Sequence, residues 1–102
     1  MINYLTTNAN QRTSILVDKK AFEDIINTLP KFISGIKVNI LKTKIDFFQK
    51  ENNVEILLEI KVAKEEKIDV KIKEVREKIE FHSFLLLDKN PKNIIIFCVG
   101  RY

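Results

Sequence analysis

The chain has 102 residues, which suits one core flanked by two or three layers and excludes a multidomain assembly. Hydrophobic residues make up 45% and charged residues 31%, a balance that excludes general disorder. The formal charge is +4, but Lys alternates with Glu instead of forming a block. That pattern reads as a solvated surface, with weak attraction to nucleic acid or anionic lipid as the alternative.

Residues 1–12 are polar and are expected to form a flexible N-terminal segment ahead of a single α+β domain over 13–102. "TSILVD", Thr13 to Asp18, reads as a short strand, and Asp18 can then cap a helix by accepting an early backbone N–H. For a helix over 19–34, Phe22, Ile25, Ile26, Leu29, Ile33 and Ile36 fall at three- and four-residue steps on one stripe. Pro30 should kink or loosen the last turn, and Gly35 is the natural stop. A strand follows in which Ile36, Val38 and Ile40 alternate with polar residues. The phase then slips to Leu41, Ile45 and Phe47, which predicts a bulge near Ile40–Lys42. After the polar "QKENN", "VEILLEIKVA" alternates with Val54, Ile56, Leu58, Ile60 and Val62 on one face. Strand, short loop and strand read as an antiparallel hairpin.

Residues 64–74 admit either a loop leading into a helix or a second hairpin, because Ile68, Val70 and Ile72 also alternate. The longer stripe of Ile68, Ile72, Val75, Ile79, His82 and Leu86 favours a helix over 68–86, with Asp69 as its cap and Glu74–Lys78 as a supporting pair. "DKNPKN" ends it, and a strand over 93–99 closes the chain. The expected order is β-α-β-β-α-β, with two helices packed on one face of a small mixed sheet.

The closing strand, "IIIFCV", is apolar at every position from Ile94 to Val99. Two readings fit. It is a central strand with neighbours on both sides, or its outer face is covered by another subunit. In the second case Ile95, Phe97 and Val99 form an interaction face with Leu57, joined by some of Leu41, Ile45 and Phe47.

Motifs for chemistry are absent from the sequence. His82 is the only histidine and Cys98 the only cysteine, so neither a zinc site nor a disulfide can be assembled from them. A boundary histidine and a structural thiol are the expected roles, with no catalytic residue, metal or cofactor. A lone thiol in an apolar run suits a reducing, cytoplasmic setting. "MINYLTTNANQR" lacks a basic region followed by an apolar one, so no signal peptide is expected, nor any transmembrane segment. The abundance of Ile, Lys and Asn points to codon usage in an AT-rich genome.

Three stretches resemble the alkaline-shock, envelope-stress-response family of small Gram-positive-type bacterial proteins. "ILVDKKAFEDIINTLPKFISGIKV" is similar to that family's strand, apolar-striped helix and Gly–aliphatic pair. "VEILLEIKV" looks like its central strand. "IDVKIKEVREKI" with "IIIFCVG" is similar to its second helix and last strand. The resemblance implies a non-enzymatic protein that self-associates or docks a protein partner, reaching a membrane only through that partner. The alternative is a KH-like RNA- or ribosome-associated protein. A KH domain needs a GXXG loop, which glycines at 35 and 100 alone cannot make.

Overall fold

The computed structural model describes residues 4–8 and 14–102. Its elements are β1 (Leu5–Asn8), β2 (Ser14–Val17), α1 (Lys19–Phe32), β3 (Ile36–Val38), a 3-10 turn (Ile40–Lys42), β4 (Lys44–Phe48), β5 (Asn53–Val62), α2 (Ile68–Leu87) and β6 (Asn93–Arg101). This is an α+β fold with both helices on one face of a mixed sheet.

Helix α1 begins as its sequence predicts. The Asp18 carboxylate accepts the Ala21 N–H at 3.3 Å, satisfying one of the donors a helix start leaves open. Phe22, Ile26 and Leu29 are buried along its inner stripe. Pro30 lies within the last turn. Gly35 then turns the chain with φ at +79°, a region where a side chain is strained. A Cβ built there would come 2.7 Å from Glu66 Cγ. Gly35→Ala should therefore cost about 1–2 kcal/mol from the left-handed backbone, with displacement of Glu66 in addition. The check is a lower urea midpoint at unchanged slope.

The long β5 organises the sheet. Val54, Ile56, Leu58, Ile60 and Val62 all point into the core. β3 pairs antiparallel with its C-terminal half, Ile36 opposite Val62, and β4 with its N-terminal half, Lys44 opposite Leu57. β6 runs parallel along β5 from Glu55 to Val62, so β3 and β4 must share the opposite side of β5. The phase slip expected as a bulge is a 3-10 turn instead. Asn39 starts it, its side chain accepting the Leu41 N–H at 3.2 Å. The turn splits the expected strand in two and restarts the alternation, so Ile36 before it and Ile45 after it both reach the core.

Helix α2 forms, and the hairpin alternative for 64–74 does not. Its buried line differs from the expected stripe: it is Lys71, Val75, Ile79, Ser83 and Leu87, with Ile68, Ile72 and Leu86 only partly covered. The helix stripe is wide, and apolarity alone marks only part of it. Lys71 buries its hydrocarbon stem while Nζ stands 3.7 Å from Glu66 and 3.6 Å from Glu74. Glu74 thus pairs with Lys71 and not with Lys78, whose ammonium lies 4.6 Å from the centre of the Phe32 ring. Asp69 is in the first turn but does not cap; the cap position is Lys67, with no side-chain bond. Asp88, at φ +58°, ends the helix in the left-handed region.

The expected flexible lead-in of residues 1–12 falls partly outside the described residues. Within it, Leu5–Asn8 is a strand, antiparallel to β2 with Leu5 opposite Val17. Leu5 is 0% exposed and belongs to the same core as α1 and β5. Asn52 holds this strand in place. Its amide oxygen accepts the Thr6 N–H and its amide nitrogen donates to the Thr6 carbonyl, both at 2.8 Å. The side chain thus does what a neighbouring strand's peptide would do. Asn52 has φ +50°, a conformation Asn tolerates better than most residues.

Candidate interaction surface on the outer face of the sheet

β6 is an edge strand. It pairs with β5, and among the described residues no strand lies along its other side. The central-strand reading is therefore corrected. No residue of β6 is fully buried: its side chains alternate between half-covered and exposed along the whole strand. Ile94, Ile96 and Cys98 lean toward the helices and pack against the core from its margin. Ile95, Phe97 and Val99 point the other way and are 37%, 51% and 51% exposed.

The register places Leu57 directly beside Ile95 and Glu59 beside Phe97. Leu57 is half-buried on the same outer face. Leu57, Ile95, Phe97 and Val99 therefore form the apolar strip expected from sequence. Ile45 and Phe47 do not join it. The 3-10 turn resets the alternation, which sends Ile45 into the core and sets the Phe47 ring edge-on to Phe22, centroids 5.7 Å apart. Leu41 is off the sheet, on the turn, and 93% exposed.

Polar side chains border the strip and are tied down. Glu55 accepts from the Asn93 amide at 3.1 Å, and Glu59 from the Asn39 amide at 3.2 Å. The Arg101 guanidinium donates to the carbonyls of Ala63, Lys64 and Glu66 at 3.0, 3.2 and 2.7 Å, locking the end of β6 onto the turn before α2. Glu55, Glu59 and Arg101 thus have partners within the chain, while Ile95, Phe97 and Val99 are exposed.

The helix layer carries a second apolar group, which periodicity did not single out. Phe32, Phe81, Phe84 and Leu85 are exposed, and Phe81 and Ile33 line a shallow groove with Glu74, Glu77 and Lys78. A sequence signal existed: "EFHSFLLL" is apolar on more than one helix face, and a stripe that wide cannot all turn inward. A polar groove between α1 and β4 is lined by Lys19, Glu23, Lys44 and Asp46, which carry both signs of charge.

His82 is half-buried on α2, with its ring edge-on to Phe81, centroids 5.4 Å apart. Cys98 is half-buried on β6, with Sγ 3.7 Å from the Gly100 carbonyl. Among the described residues, no cluster of three or more His, Cys, Asp or Glu could hold a metal ion. No helix among them is long and apolar enough to cross a membrane. Comparison with protein-family models, with curated proteins and with solved structures finds no match to this chain.

Proposed function

We propose that this chain is a non-enzymatic interaction module of the alkaline-shock type, acting in the cytoplasm by self-association or partner docking on the outer face of its sheet. The observation that carries this reading is the strip of Ile95, Phe97 and Val99, exposed beside Leu57 on a face without a covering layer among the described residues. Soluble monomers seldom leave contiguous apolar surface of this kind without a use. The sequence resemblance of residues 14–100 to the alkaline-shock family, which includes this same strand, points to the same reading.

Covering the exposed halves of three or four such side chains yields about 1 kcal/mol each. That sum lies below the roughly 8 kcal/mol of a micromolar complex, so other contacts must contribute. Light scattering from roughly 1 μM to 1 mM protein should show mass rising with concentration as a dimer or larger species forms. A constant monomer mass over that range, together with RNA binding that weakens steeply with salt, would instead favour the KH-like alternative.

A further inference from the structure

The two edges of the sheet are built differently. The β3–β4 edge consists of strands of three and five residues, interrupted by the 3-10 turn and carrying Lys37, Lys44 and Asp46. Short strands, interruptions and charges are the devices that keep sheet edges from pairing with other chains. β6 carries an irregularity only near its C-terminal end, where its register against β5 shifts by one residue between Cys98 and Arg101, and is regular up to Cys98. It runs for nine residues, has no proline, and carries no charged side chain from Asn93 to Gly100. Its backbone groups along that edge have no strand partner among the described residues.

We propose that the open edge of β6 pairs antiparallel with the same edge of a second copy, joining two sheets into one across a two-fold axis. This rests on the self-association proposed above and specifies its geometry. A two-fold axis normal to the sheet requires identical edge strands to run antiparallel, so each meets its own sequence reversed. For β6 that reversal is self-compatible. With the axis at Phe97, the outer face sets Ile95 against Val99 and Phe97 against its own copy. The helix-side face then sets Ile96 against Cys98 and Ile94 against Gly100. No like charges meet over these residues, and like charges directly opposite would oppose pairing. Arg101, the one charge on the strand, is held by three carbonyls of its own chain.

The pairing also accounts for the half-covered state of Ile94, Ile96 and Cys98. They lie at the margin of the helix layer, and a second copy would extend sheet and helices beyond that margin. The two outer strips would merge into one apolar band. The backbone ladder supplies hydrogen bonds that the side-chain strip lacks.

Hydrogen exchange of the intact chain, followed by NMR at dilute and concentrated protein, tests this. Every second backbone N–H of β6 faces the open edge. Those amides should slow at least tenfold as the dimer forms, while amides on the β3–β4 edge keep their rates. A dimer in which the open-edge amides of β6 exchange as fast as in the dilute sample overturns the edge pairing and leaves self-association standing. A monomer at every concentration overturns both.

Discussion

Leu5→Ala is expected to lower stability by about 2–5 kcal/mol, the range for truncating a fully buried leucine. Leu5 is 0% exposed and packs in one core with Val17, Phe22 and Leu58. It stands on a strand of only four residues, joined to the main sheet's β4–β5 loop by Asn52. That strand cannot readily collapse around a cavity without giving up the two Asn52 bonds. Total stability for a domain of this size is about 5–15 kcal/mol, so the loss would be a large part of it. Urea unfolding followed by circular dichroism measures it. A change below about 1 kcal/mol would show that β1 is not part of the folded core, as the polar composition of residues 1–12 had led one to expect.

Phe97→Lys is expected to abolish self-association while leaving the fold intact. The side chain is half exposed and on the outer face, so the cost to folding should stay within about 0.5 kcal/mol. In the symmetric edge pair each Phe97 lies close to the axis, and a lysine there brings two ammonium groups together in place of an apolar contact. The dimer dissociation constant should rise at least tenfold, read by sedimentation or light scattering. Two controls fix the interpretation. Leu41→Lys, on the 3-10 turn and 93% exposed, should change nothing. Phe81→Lys tests the exposed group on α2. If Phe81→Lys dissociates the assembly and Phe97→Lys does not, association runs through the helix layer and the sheet-face reading fails.

Much of this fold could be read residue by residue. Asp18 ahead of the Phe22–Ile26–Leu29 stripe marks a helix start, and the cap bond to Ala21 is the physical form of that signal. The inward positions of β5 are apolar and buried without a break, because that face meets the core along its length. The strip of Leu57, Ile95, Phe97 and Val99 follows from the same period-two rule. Other features were hidden for identifiable reasons. Lys71 looks like a surface charge, yet its stem is buried and its ammonium is steadied by two glutamates. Ser83 carries no apolar signal, but its place on α2 turns it inward. Ile45 and Phe47 face the core because the break at Ile40–Lys42, as a bulge there would also have done, restarts the alternation on the side of Ile36.

Sequence by itself determined both helices and most of the strands, the Asp18 cap and the Gly35 stop, and which residues of β5 and β6 share a face, since these depend on neighbours within a few positions. Tertiary structure alone decided that β6 lies at the edge, that Leu5 enters the core, and how far α2 is rotated about its axis. Each of those outcomes depends on contacts between segments distant along the chain. A local period says which residues share a side, but not what covers that side.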